Sequence, residues 1–404
     1  MEMWKRNLFI CCLGAFATSA ALSQVAPVLP LYIEHLGVHD TPAIEMWSGL
    51  AFGSTTLVSA IFSPFWGKMA DKYGRKPILL KASLGMAIIV SCMGFVQNVY
   101  QLVALRMLLG TISGFNSGAI TLIATQTSKE RAGWALGTLS TGVVGGTLLG
   151  PLLGGYLVEV VGFRSVFFVM GIMLLVAFIL TMVFVKENFI NKQEQVLNFR
   201  EVWQHLPDKQ LLVAMFITTF ILQLALFSIE PIITVYISAL SPGSDHIAVV
   251  SGLVFAASGL ASMLAAPWLG KVSDQIGAHK VILAALIVAG CLFIPQAFVK
   301  NEWQLMALRF LLGLAIAALL PAINALIKQS TPDEVVGRVF GYNQMAQFFG
   351  TFGGSVAGGQ IAAHFGIYYV FFSTSILLFL NAIWVYHNVC KRVTYEVGVA
   401  VHHS

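Results

Sequence analysis

Apolar residues in this chain gather into runs of about 20, each long enough, wound as a helix, to cross about 30 Å of hydrocarbon. Twelve such runs lie near 7–34, 47–67, 79–97, 101–126, 134–158, 164–185, 210–238, 247–270, 280–299, 302–327, 338–363 and 367–388. The pattern predicts an all-α membrane protein of twelve transmembrane helices. The first run is too long for the apolar part of a signal peptide and ends in Pro27 and Pro30 rather than a small-residue cleavage site, so it is read as a retained span.

The runs repeat. Tyr100 to Gly110 reads YQLVALRMLLG and Trp303 to Gly313 reads WQLMALRFLLG. The same offset carries Ser48-Gly49-Leu50 onto Ser251-Gly252-Leu253, Pro64 onto Pro267, Gly67 onto Gly270, Asp71 onto Asp274 and Gly74 onto Gly277. A duplicated hydrophobic half is the mark of a secondary transporter, with the substrate site near the middle of the bilayer. The expected organisation is a six-helix bundle over 1–186, a cytoplasmic linker over 187–209, a second six-helix bundle over 210–390 and a cytoplasmic tail over 391–404.

Composition agrees: 57% of residues are hydrophobic and 10% charged, where a soluble domain carries about a quarter charged. The net charge of +5 reports topology rather than nucleic-acid binding. With an even number of spans both termini share a side, and that side holds 19 of the 23 Lys and Arg, against Arg164 and Lys300 opposite and Arg106 and Arg309 inside spans. Both termini are therefore expected in the cytoplasm, the basic loops meeting anionic lipid. The odd five cysteines have no metal-ligand spacing and read as packing residues. No metal site or cofactor is expected, and His402-His403 receives no role.

Chemistry concentrates at a few positions. Between spans two and three the chain reads GKMADKYGRKP, with Gly67, Asp71, Gly74, Arg75 and Lys76. Gly67 and Gly74 would permit close approach and a tight turn, and Asp71 would accept from a helix N-terminus or an arginine. The second copy, GKVSDQIGAHK, keeps Gly270, Asp274 and Gly277 but loses the Arg-Lys pair. Span five carries GGTLLGPLLGG, with Gly145, Gly150, Pro151, Gly154 and Gly155, a small-residue surface for close helix contact bent by proline. Span eleven is as rich in glycine without the proline.

These segments resemble the major facilitator superfamily: the loop between spans two and three, the fourth-span LVALRMLLG and the fifth-span antiporter motif match its signatures, and the likeness covers the whole chain. It is similar in particular to the twelve-span drug:proton antiporters. That resemblance implies a monomer that exports drugs in exchange for protons, and it assigns proton transfer to Arg106. Arg309, the repeat equivalent, is read either in a like role or as a side chain reaching the outer surface.

Glu230, in FSIEPIITVY, is the carboxylate placed inside a span. Burial disfavours its charged form, so it can take up a proton and also attract a cationic drug; the competing reading places it at the outer mouth, solvated. Before Glu34 at its very end span one has no acid, leaving Glu230 and Asp71, with Arg106, to carry coupling. Candidate pocket residues at central depth are Gln24, Asn116, Gln223, Glu230, Tyr236, Asn324, Asn343, Gln344, Gln347 and Phe348, a mostly apolar and aromatic set with a few amides that suits lipophilic compounds. No phosphate-binding loop, zinc spacing or nucleophile elbow is present, so the chain reads as no enzyme and its energy comes from an ion gradient. One charge falling through 100 mV supplies about 2.3 kcal/mol. The expected function is proton-coupled efflux of small lipophilic drugs by alternating access, with carriage of one specific metabolite as the alternative.

Overall fold

The computed structural model describes residues 2–187, 203, 206, 208–244, 246–332 and 335–391, without the side chains of residues 71, 129, 130, 132 and 133. Most of the expected linker, the tail beyond Lys391 with His402-His403, and the Asp71 side chain lie outside the described residues. Within them every regular element is helical.

In chain order the helices are α1 Met3–Ser23, α2 Val25–His35, α3 Thr41–Tyr73, α4 Arg75–Met93, α5 Val99–Ile112, α6 Phe115–Gln126, α7 Lys129–Val161 and α8 Phe163–Phe184. They continue as α9 Lys209–Phe227, α10 Ile233–Leu240, α11 Ile247–Ile276, α12 Ala278–Gln296, α13 Glu302–Ile316, α14 Leu319–Gln329, α15 Val336–Phe365 and α16 Ile367–Val385, ending in a π-turn at Tyr386–Cys390. All twelve expected spans are present as helix. Among the described residues ten are long and apolar enough to cross a membrane by themselves. The other two are α3 and α15, of 33 and 30 residues, whose Gly, Ser, Thr and Gln content dilutes their hydropathy.

The duplication extends to individual hydrogen bonds. Asn98 caps α5 by accepting from Gln101 N at 3.0 Å while Gln101 Oε1 accepts from Gln97 N at 2.8 Å. The equivalent Asn301 and Gln304 repeat both bonds at 2.9 Å, a reciprocal cap that fixes the start of spans four and ten. Ser59 Oγ donates to Gly110 O at 3.3 Å, and Ser262 Oγ to Gly313 O at 2.8 Å. A Cβ at Gly110 would meet the Thr55 carbonyl, and one at Gly313 the equivalent Ser258 carbonyl. Both glycines are required by backbone-to-backbone contact between helices.

Contacts divide the chain into two compact units, Met1–Gln193 with Ile233–Ala256, and Glu194–Ile232 with Ala257–Ser404. Two apolar clusters fill the first unit: one around Tyr32, Met86, Met93, Phe167 and Met170, the other around Leu79, Phe115, Leu122 and Leu139.

Candidate functional site

Four spans are broken at mid-course, in equivalent places of the two repeats. Span one breaks at Gln24 between α1 and α2, and span seven at residues 228–232 between α9 and α10. Span four breaks at Ser113-Gly114, and span ten at Ala317-Ala318. The causes are local. Pro27, Pro231 and Pro321 lack the N–H that an unbroken helix needs, and Gly114 takes φ 129°, open only to glycine at low cost. Interrupted helices leave polar backbone unpaired at membrane depth, which is tolerated where it lines protein or a cavity.

In the first unit the loop motif is held by a residue outside it. Gly74 turns the chain with φ 93° and offers no side-chain cap to α4. Glu187, just past α8, supplies one: its carboxylate accepts from Arg75 N at 2.8 Å and Lys76 N at 2.7 Å. Lys76 Nζ donates to Met182 O at 3.0 Å, so both sides of this joint tie span three to span six. Alongside it Asn7 donates to Gln126 Oε1 and to Lys186 O at 2.6 Å. Gly67 and Gly270 have open space where a Cβ would stand, so close approach is not what they provide; Gly74 and Gly277 provide the left-handed turn. Asp274 is exposed.

Arg106 is buried, and its guanidinium bonds to backbone: Nε to Ala51 O at 2.9 Å and Nη2 to Phe52 O at 3.3 Å, with Thr55 Oγ1 donating back to Arg106 O at 3.0 Å. The residue staples span four to span two. Asn116 is likewise engaged, donating to Ser19 Oγ at 3.1 Å and lying 3.2 Å from the Thr18 hydroxyl, which joins span four to span one. Gln24 is wholly buried at the break of span one, and neither amide atom has a partner among the described residues.

The antiporter motif forms a ridge one helical turn apart. A Cβ on Gly142, Gly146, Gly150 or Gly154 would meet span one at Cys12, at Phe16, at Ser23 with Ala20, and at Gln24 respectively. The i, i+4 row thus packs backbone against backbone. Gly145 faces the Phe16 ring, at 3.6 Å from an added Cβ. Gly155 meets the Ala248 carbonyl at the start of α11, and an added Cβ on Gly252 would lie 2.6 Å from the Pro151 carbonyl. Glu159 completes this contact, accepting from Val249 N at 3.2 Å and meeting His246 Nδ1 at 2.8 Å. Tyr236 of α10 is buried.

In the second unit Gly350, Gly354 and Gly358 of α15 pack in the same way against Phe220 and Leu224 of α9 and Ser228 just past its end. Gln223 lies against Gly350 and is nearly covered. Asn343 is buried and donates to Asn324 Oδ1 at 3.1 Å. Gln344 is exposed and Gln347 and Phe348 half-buried; spaced i, i+3, i+4, they form one accessible strip of α15. Glu230 sits in the break of span seven, half-buried, within electrostatic reach of Arg309. Arg309 is 7% exposed, its guanidinium carbon 5.9 Å from the centre of the Phe293 ring, and its Nε and Nη2 have no partner among the described residues.

The candidates therefore fall into groups. Glu230 and Arg309 come together, Gln344, Gln347 and Phe348 share a face, and Arg106 and Asn116 hold helices. Sequence reasoning missed Glu187 and the four breaks. A signal existed for each: an acid directly after span six with an uncapped Arg-Lys helix start to serve, and prolines or a glycine at mid-span.

The sequence profile described as Major Facilitator Superfamily matches residues 11–246 and 215–393. The chain is 46% identical over 390 residues to Multidrug resistance protein MdtG of Salmonella typhi, covering 96% of each protein, and equally so to that of Salmonella newport. Among solved structures its fold is similar to a bacterial homologue of the human lysosomal transporter Spinster, with a TM-score of 0.79 at 13% identity over 97% of this chain and 98% of that one. It is also similar to the human organic anion transporter MFSD10, with a TM-score of 0.71 at 16% identity over 95% of this chain and 100% of that one. Duplicated halves, four interrupted spans and the matching profile together make this chain a member of the major facilitator superfamily.

Proposed function

We propose that the protein is a drug:proton antiporter that exports small lipophilic compounds, cationic or neutral, across the bacterial cell membrane with both termini in the cytoplasm. Near-full-length similarity to proteins named for multidrug resistance supports the drug class, and the lysine and arginine distribution supports the orientation. The observation that carries the mechanism is Glu230 in the break of span seven, half-buried and within electrostatic reach of one buried cation, Arg309. A carboxylate in an interrupted span can bind either a proton or a cationic substrate but not both, which is the exclusion an antiporter needs. A proton taken up from outside expels the drug, and its release inside restores the carboxylate for the next one.

The loop joint at Gly74, Arg75, Lys76 and Glu187 and the ridge of span five serve as the fixed frame against which the carrier changes its opening, and Asp71 is assigned to that gate rather than to proton transfer. The test is transport by purified protein in liposomes: a lipophilic cationic dye should accumulate against its gradient when a pH gradient is imposed and stop when a protonophore collapses it. Saturable carriage of one metabolite with indifference to dyes would replace this reading with the narrower one.

A further inference from the structure

The two repeat-equivalent arginines are held differently. Arg106 has Nε and Nη2 on span-two carbonyls. Arg309 is comparably buried, yet the same two nitrogens have no partner among the described residues. A guanidinium left without acceptors in a low-dielectric setting is costly, and it persists where a partner is available part of the time. The charge within its reach is Glu230. Other charged side chains on the helices of this unit sit near helix ends: Lys209, Lys271, Asp274, Lys280, Glu302, Lys328 and Arg338, with His279, His364 and His387. Among the described residues of this unit no other charged side chain lies at this depth.

We propose that Arg309 is a specificity-determining residue: its guanidinium is the built-in competitor of cationic substrates for the Glu230 carboxylate. A cationic compound must displace Arg309 to bind, whereas a neutral one need not. Arg309 then refills the site once the compound has left, so that the half-buried Glu230 is never without a counter-charge in the empty carrier. The division of labour between the repeats follows: Arg106 staples spans two and four, and Arg309, freed from such bonds, tunes the exchange site. This inference rests on the assignment of Glu230 as the site of exchange.

The test is equilibrium binding to the full-length protein in lipid nanodiscs, with tetraphenylphosphonium as the permanent cation and N-phenylnaphthylamine as the neutral probe. Arg309→Gln should bind tetraphenylphosphonium roughly tenfold more tightly, the lower end of what an adjacent opposite charge is worth, with the neutral probe unmoved. Arg309→Lys, which keeps the charge, should return the wild-type discrimination. Equal weakening of both probes in Arg309→Gln marks a structural role and overturns the proposal. Should Arg309→Gln not fold, the Glu230→Gln, Arg309→Gln double variant, with no buried charge left uncompensated, must match Glu230→Gln in cation affinity; a further large change there also overturns it. The two levels separate cleanly. If Glu230→Gln loses cation affinity while Arg309→Gln changes nothing, the competitor role alone fails. If Glu230→Gln binds the cation like wild type, the exchange site itself is misassigned and the inference falls with it.

Discussion

Replacing Glu187 by alanine should loosen the joint between spans three and six. The carboxylate makes two hydrogen bonds, to Arg75 N at 2.8 Å and Lys76 N at 2.7 Å, and it caps a helix whose own N-cap, Gly74, has no side chain to do so. A hydrogen bond to a charged group contributes about 1.5–3 kcal/mol when water cannot replace it. Here all three residues are half-buried, so water takes over part of the role, and the helix dipole adds only a few tenths of a kcal/mol. The net loss is placed at about 1–2 kcal/mol, the range of a good N-cap. Glu187→Gln keeps an acceptor and loses the charge, so it should fall between wild type and alanine. Thermal unfolding of the purified variants in one detergent orders the three, and limited proteolysis near Gly74 reports whether the joint opens. An alanine variant as stable as wild type, or a glutamine variant worse than alanine, refutes the capping argument.

Other expectations follow from the same geometry. Arg106→Gln removes two bonds to span-two carbonyls and should cost about 2 kcal/mol of stability while leaving gradient-driven transport in the surviving protein; loss of coupling without loss of stability would return Arg106 to the proton path. Gly146→Val should abolish folded protein, because its side chain would meet the Phe16 carbonyl and Ser19, whereas Gly137→Ala in the same helix, with open space around it, should be neutral or slightly stabilising; expression and gel filtration decide. Gly74→Ala forces φ 93° on an L residue and should destabilise by about 1–2 kcal/mol, read from the thermal midpoint.

The fold was legible in the sequence because crossing a bilayer demands long apolar runs, and because duplication let each half vouch for the other. Spans two and eleven were located even though α3 and α15 are too polar to stand out individually. The breaks were not read, although Pro27, Pro231 and Gly114 stood in view, since a proline inside an apolar run signals a bend or a full interruption equally well. Site residues were harder. Arg106 was marked as special by its charge, but its acceptors are backbone carbonyls, which have no sequence signature. Glu230 and Arg309 belong to different spans, and nothing in one segment points to the other; only folding shows that the arginine within electrostatic reach of Glu230 comes from span ten rather than span four. Glu187 escaped notice because it follows a span and looks like the beginning of a linker.

The most direct test of Glu230 as the coupling acid compares wild type with Glu230→Gln in proteoliposomes, measuring both dye accumulation driven by a pH gradient and dye exchange at equal pH. Coupling through Glu230 predicts that the variant still exchanges dye yet no longer accumulates it, since a carboxamide cannot carry the proton. A variant that accumulates dye as steeply as wild type under the same gradient contradicts the assignment.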